Sequence, residues 1–296
     1  MDEVGRMDLM VFNYENGGRQ PDGTYAWDGL GATVAATTPH LFILNEAKLY
    51  ANRGNQALYA AAAALHHHTG RVYIPLLCTS EHGPYPPAVY YRPDVFTVVQ
   101  HYDDHPDNPR HERNLIVLCH RPTQRILRLL PIHFSFLGGR TRLTEAELIT
   151  WAADPAHATI VAGDFNSISS RPHEPLHRFD DHPHHKRFHK GRWLPSRDQW
   201  PAEPIGPDTD ALDRLYDSGL LDVAELANKH GMPPEQAFMP TVNPRGDVHD
   251  PLRIDRILVS PALADAVSGA SYRVHVPAPD APLPSDHRAV SVSLDL

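Results

Sequence analysis

The chain of 296 residues has only two cysteines, Cys78 and Cys119. A disulfide framework is therefore excluded; each thiol sits at or near an apolar run (74–78 and 115–119), as buried free cysteines of a reducing compartment do. No run of 18 apolar residues occurs, which excludes a membrane-spanning helix. The opening stretch MDEVGRMDLMVFN lacks the apolar segment of a signal peptide. A soluble, cytoplasmic protein is expected, with no membrane contact and no obligate protein partner evident. Positive charge is also scarce: 27 Lys and Arg stand against 36 Asp and Glu, for a net charge of −9. That balance argues against coating nucleic acid by counterion release from a basic face. It leaves room for a local cleft in which a metal ion supplies the missing positive charge. The hydrophobic fraction of 41% suffices for a sizeable core and excludes a disordered composition.

Short apolar runs, several rich in Val and Ile, recur between turn-rich segments. They predict strands at 9–13, 41–45, 71–77, 88–91, 97–101, 114–120, 126–134, 159–162, 254–259 and 289–294. Helices are expected at 55–66, which is Ala-rich and closes on His66, His67 and His68; at 144–153, where Thr144 and Glu147 have capping-box spacing; at 209–218, ending at Gly219; and at 261–267. The irregular alternation, with many adjacent strands, implies mixed sheets. No linker and no repeat divides residues 1–296, so one domain is expected. The stretch 167–207, rich in His, Pro, Arg and Asp, reads as a loop or insertion. Its six histidines between His173 and His189 match no zinc spacing, and a solvated loop near a cleft is the reading adopted.

Five segments end an apolar run on polar residues: Asn13-Tyr14-Glu15, Asn45-Glu46, His133, Gly163-Asp164-Phe165-Asn166, and Ser285-Asp286-His287 before the last strand. Asp255 lies inside the run 254–259, on the face of Ile257 and Val259. A carboxylate there costs several kcal/mol unless it is paired. Taken alone, it points to an ion pair with Arg253 or Arg256. Each segment alone is weak: Asp-x-Asn after a strand is a common turn, and most histidines are structural.

Together, and in order, the segments resemble the endonuclease/exonuclease/phosphatase superfamily along essentially the whole chain. Gly163–Asn166, Arg253-Ile254-Asp255-Arg256-Ile257-Leu258-Val259-Ser260 and Ser285–His287 are its most specific motifs, and Ala88-Val89-Tyr90-Tyr91-Arg92-Pro93 is similar to its strand–Tyr-Arg-Pro element. The resemblance implies a four-layer α/β sandwich, DNase I-like, with two mixed, mainly antiparallel sheets packed face to face and flanked by helices. It implies a divalent-metal-dependent hydrolase of phosphate esters.

The resemblance also assigns roles. Glu46, Glu15, Asp286 and the amide oxygen of Asn13 would hold Mg²⁺ or Mn²⁺, for which hard oxygen ligands are suited. The family position matched by Glu15 is often Asp. His287 would act as general base or contact the phosphoryl oxygen, with Asp255 orienting it and sharing its charge. Asp164 would orient or deprotonate the attacking water, Asn166 would hold a phosphate oxygen, and His133 would bind the phosphate or protonate the leaving oxygen. Lys48 and Arg92 are weaker candidates for phosphate contacts, and Glu112 for orienting His133. The substrate expected is a nucleic acid, a nucleotide or another phosphate ester, cut by a nuclease or nucleotide phosphodiesterase. A phosphatase of a small molecule or phospholipid head group is the alternative, and a non-catalytic binding protein on the same scaffold a third reading.

Overall fold

The computed structural model describes residues 5–80, 84–102, 114–174, 191–192, 206–244, 252–278, 280 and 282–296. Its first sheet is built on β1 (Arg6–Asn13), β2 (Leu41–Asn45), β3 (Ile74–Leu77) and β4 (Ala88–Tyr91), completed by β13 (Arg273–Val274) and β14 (Val290–Asp295) in the order β13-β14-β1-β2-β4-β3. The second contains β5 (Phe96–His101), β6 (Ile116–His120), β7 (Arg125–His133), β8 (Thr159–Asp164), β11 (Leu221–Asp222) and β12 (Asp255–Val259), in the order β11-β12-β8-β7-β6-β5. In each sheet one central pair is parallel, β1 with β2 and β7 with β8, and every other pair is antiparallel. The segment between Asn166 and the next helix contributes a two-stranded ribbon, β9 (Gly191–Arg192) with β10 (Gly206–Pro207).

Why two sheets stack follows from the side-chain alternation. Leu9 and Val11, Ile43, Leu127 and Leu129, Ile160 and Ala162, and Ile257 and Val259 form one cluster between the sheets. The strands' other faces are also apolar, so each needs a helical cover. Met10, Phe12, Phe42 and Leu44 pack on Leu30 and Val34 of α1 (Trp27–Ala35) and on Leu58, Ala61 and Leu65 of α2 (Asn52–Thr69). Leu130, Ile132, Val161 and Leu258 pack on Ala146 of α3 (Gly139–Leu148) and on Leu212 and Leu215 of the helix Asp210–Asp217. Each such aliphatic side chain contributes about 1.5–3 kcal/mol relative to exposure. The four layers match the expected α/β/β/α sandwich.

The topology gathers the polar strand ends on one edge. The parallel registers set Asn13 beside Asn45 and His133 beside Asp164. The antiparallel register of β12 sets its first residue, Asp255, beside Asp164. β14 runs antiparallel to β1 with Val290 opposite Val11, which brings residues 285–287, just before β14, to that same edge.

Several local expectations are corrected. Thr144 does not cap a helix: α3 begins at Gly139, and the Thr144 hydroxyl donates to the Arg140 carbonyl inside it. Residues 150–153 and 261–266 are 3-10 turns. The helix α1 was not foreseen, because Gly29 and Gly31 lower its intrinsic propensity; tertiary packing of Leu30 and Val34 sustains it. Of the two thiols, Cys78 is buried and Cys119 half-buried, and both are free. Of the His-rich stretch, His173 is described, its ring stacked on Phe238 at 3.8 Å; His177, His182, His184, His185 and His189 lie outside the described residues, as does Glu112. Among the described residues no helix is long and apolar enough to cross a membrane.

Candidate active site at the strand ends

Asp164 closes β8 and stands at the centre. Its Oδ2 accepts from Asn13 Nδ2 at 3.0 Å, and its Oδ1 from the Asn166 backbone N–H at 2.7 Å. Gly163, just before it, has φ +149, and a Cβ there would lie 1.9 Å from the Ile132 carbonyl oxygen. Glycine is therefore required for β8 to close on β7 at the site. Asn45, unassigned from sequence, ties the two sheets together: its amide donates to the Ile132 carbonyl at 2.7 Å and accepts from the Asp164 N–H at 3.1 Å. In the sequence its only signal was its place at the end of an apolar run.

His287 Nδ1 lies 2.8 Å from Asp255 Oδ2, and both residues are buried. The carboxylate requires the proton on Nδ1, so Nε2 is the nitrogen left for other work. Burial opposes charge on His287, but Asp255, then Asp164 and Asp286, outweigh it and push its pKa up to about 10. Burial pushes the Asp255 carboxyl up while His287 pulls it back. The pair holds its proton on the imidazole side, because three carboxylates face that ring. The Asp255–Arg253 or Asp255–Arg256 ion pair is not formed. Both arginines point to the other side of β12, where they bind Glu174 and Asp222 at 2.7–3.0 Å.

His133, at the end of β7, donates Nδ1–H to the Tyr85 carbonyl at 3.1 Å and turns Nε2 toward Asp164 Oδ2, 3.7 Å away. Tyr85 also went unassigned. Asn166 departs from its expected role. Its side-chain N–H groups go to the Phe134 carbonyl at 3.0 Å and to Asp164 Oδ2 at 3.3 Å. Both of its side-chain N–H groups are thus engaged within the protein, one of them on Asp164.

Glu46 follows β2 with φ +65, a backbone region that a non-glycine residue enters only when its surroundings hold it there. Its Oε2 accepts the Asn16 N–H at 2.6 Å, and its Oε1 lies 3.4 Å from Asn13 Nδ2. Glu15 and Asp286 meet at Ser285, whose Oγ accepts from the Glu15 N–H at 3.1 Å and lies 3.2 Å from Asp286 Oδ1. The carboxylates of Glu46, Glu15 and Asp286 do not converge as one cluster. Among the described residues, the His, Cys, Asp and Glu ligand atoms that lie within 4.8 Å of one another belong to Asp164, Asp255 and His287. Lys48 Nζ donates to Asn16 Oδ1 at 2.6 Å and to the Tyr85 hydroxyl at 3.2 Å, bridging two loops beside Glu46. Arg92 is not at the site. It follows β4 at the end opposite Glu46, where Tyr91 pairs with Leu41, and it binds Asp94.

Two six-stranded mixed sheets, helices on both outer faces and a polar cluster at one edge define a DNase I-like sandwich. The model of the Endonuclease/Exonuclease/phosphatase family matches residues 20–287, and the chain belongs to that family, whose members are phosphoester hydrolases. No curated protein matches the sequence. Among solved structures, a family protein from Bacteroides thetaiotaomicron is similar at a TM-score of 0.63 and 18% identity, over 98% of this chain and 97% of that one. An AP endonuclease from Archaeoglobus fulgidus gives 0.62 and 15%, over 98% and 100%. A 3′ phosphatase from Neisseria, bound to a product DNA hairpin, gives 0.59 and 18%, over 98% and 100%. At these identities the likeness concerns the fold.

Proposed function

We propose that the protein is a divalent-metal-dependent hydrolase of phosphate esters, acting as a nuclease or nucleotide phosphodiesterase. The observation that carries this reading is the convergence of Asp164, the Asp255–His287 pair, His133 and Glu46 on one edge of the sandwich. Such a set supplies an anchored carboxylate for a cation, a carboxylate for water, and two imidazoles with a nitrogen each turned inward. The residues fit a hard cation: the Asn13 side-chain oxygen is buried without a hydrogen-bond partner, and its amide lies against Glu46. Glu46 and Asn13 would hold Mg²⁺ or Mn²⁺; the Glu15 and Asp286 carboxylates, the other expected ligands, do not cluster with Glu46. When bound, the ion neutralises the phosphoryl oxygens that otherwise repel a nucleophile.

The chain's own residues supply the rest. His287, protonated near neutral pH, donates from Nε2 to a phosphoryl oxygen, the second of its two expected roles. Asp164, its orientation fixed by Asn13 and Asn166, holds the attacking water and takes its proton. His133, with Nδ1–H committed to the Tyr85 carbonyl, would donate from Nε2 to the leaving oxygen as the imidazolium, with both ring nitrogens protonated. A phosphatase acting on a small molecule is the second reading, since the same groups would serve it and one structural neighbour is a 3′ phosphatase. The test is hydrolysis of single-stranded DNA, RNA, nucleotides and inositol phosphates with Mg²⁺ or Mn²⁺. Turnover lost on Asp164→Asn is expected; no turnover of any of these substrates overturns the reading.

A further inference from the structure

A cavity of about 630 Å³ is lined by Glu15, Asn16, Arg19 and Lys48; the Asn16 N–H donates to Glu46 behind that lining. A second cavity, of about 380 Å³, shares Arg19 and is lined by Tyr25, Trp27 and Arg53. Volumes of roughly 300–1,000 Å³ are those of sites that take a small ligand or a nucleotide-sized group. The segment 25–27 forms the ridge between the two. Ala26 faces the first cavity, and its neighbours Tyr25 and Trp27 face the second. Their rings stack at 4.8 Å with an interplanar angle of 2°, and both stand edge-on against the buried Tyr50. The ridge is fixed in place: the Tyr25 hydroxyl donates to the Lys48 carbonyl at 3.0 Å, the Tyr50 hydroxyl to the Gly17 carbonyl at 2.8 Å, and the Ala26 N–H to the Gly18 carbonyl at 2.8 Å. Tyr25 and Trp27 are half-buried, so part of each ring faces the cavity.

The charge of this surface opposes that of the whole chain. In a protein of net charge −9, Lys48, Arg19 and Arg53 follow one another from the Glu46 end outward. Among the described residues, none of the three makes a salt bridge with a carboxylate. Cations spaced along a groove beside aromatic rings suit a strand of phosphates and bases. A polyphosphorylated sugar would use the cations and bring no base to lay against the rings.

We propose that these adjacent cavities bind the nucleotide adjoining the reacting phosphate of a single-stranded nucleic acid, with its flanking phosphate at Arg19 and Arg53 and its base against the Tyr25–Trp27 wall. The assignment deepens the nuclease reading and rests on it for the position of the reacting phosphate. The test is calorimetric titration of a short phosphorothioate-linked single-stranded oligonucleotide in Mg²⁺, against the wild type and the Arg19→Gln/Arg53→Gln double variant. Inositol trisphosphate is the ligand without a base, and hydrolysis of bis(p-nitrophenyl) phosphate reports the chemistry without a flanking nucleotide. The double variant should bind the oligonucleotide about tenfold more weakly or worse and hydrolyse the small diester at the wild-type rate. Inositol trisphosphate should bind the wild type more weakly than the oligonucleotide does. An oligonucleotide affinity within about twofold of wild type in the double variant, or inositol trisphosphate bound as tightly as the oligonucleotide, overturns the assignment. Failure of the wild type to hydrolyse any diester would instead strike the hydrolase reading, and the binding arm would still decide the groove.

Discussion

Replacing Asp255 with Asn isolates the charge of the Asp255–His287 pair, because the amide oxygen can still accept the Nδ1–H that the carboxylate accepts at 2.8 Å. The rise of the His287 pKa from 6.5 to about 10 corresponds to roughly 5 kcal/mol in favour of the imidazolium. That figure is the net of burial, which opposes the charge, and of Asp255, Asp164 and Asp286, which favour it. Asp255 is in direct contact and is the first of the favourable groups. With its charge gone, burial regains the upper hand, and His287 should titrate at least about three pH units lower, a change of roughly 4 kcal/mol. The imidazole is then largely neutral at working pH and has no proton for the phosphoryl oxygen. A loss of about 10²–10⁴-fold in kcat is expected, the range associated with a positioned proton donor. The sign also sets the alkaline limit. A group whose pKa is raised on folding contributes stability that is fully present below its unfolded value, near 6.5, and is lost as pH rises through about 10. Wild-type activity and stability should therefore fall on that alkaline limb, and the variant's activity limb should move to lower pH. The assay is an NMR titration of the His287 ring proton alongside rates of hydrolysis in Mg²⁺. A variant whose His287 still titrates near 10, or whose rate stays within about threefold of wild type, refutes the reasoning.

Asp222→Asn should be costly elsewhere. The buried Asp222 Oδ2 accepts from Arg253 at 2.9 Å, Arg256 at 3.0 Å and the Tyr216 hydroxyl at 2.8 Å, so neutralising it leaves two buried guanidinium groups with Glu174 alone. A loss of about 3–5 kcal/mol is expected, read as a lower urea midpoint at unchanged slope. Arg253 and Arg256 hold the Asp222 and Glu174 carboxyls below their ordinary range despite burial. Their contribution is present above the unfolded values of 3.8 and 4.5 and is lost as pH falls, so the variant should show a shallower acid limb than wild type. Gly163→Ala should lower stability by about 3 kcal/mol or more, because its Cβ would meet the Ile132 carbonyl at 1.9 Å from a left-handed backbone; a melting temperature unchanged from wild type contradicts that.

Much of the fold was legible because its strands carry a simple signal. The strands Leu41–Asn45 and Ala88–Tyr91 match expectation residue for residue, as short Val, Leu and aromatic runs bounded by turn residues. What was illegible depends on tertiary contact. α1 is a poor helix by propensity and exists by packing, and the capping-box spacing at Thr144 competes with a helix that starts five residues earlier. The site was legible as a set of motifs, since each candidate at a strand end lies where sequence order and strand direction bring it. The Asp255–His287 partnership was legible only through the resemblance, since the residues alone left Asp255 to an arginine; which it meets turns on the face of β12 each side chain takes, and Asn45 or Tyr85 become visible only in the folded chain. Asn166 shows the same limit in reverse: its place just beyond β8 follows from the sequence, while the commitment of its donors to Phe134 and Asp164 does not.

The central claim concerns a cation held at Glu46 beside the buried oxygen of Asn13. Rates of bis(p-nitrophenyl) phosphate and single-stranded DNA hydrolysis, measured for wild type and Glu46→Gln with Mg²⁺, with Mn²⁺ and in EDTA, test it most directly. The prediction is turnover by wild type that requires the ion and falls about 10²-fold or more in Glu46→Gln. Equal turnover in EDTA, or a Glu46→Gln rate equal to wild type, would contradict it.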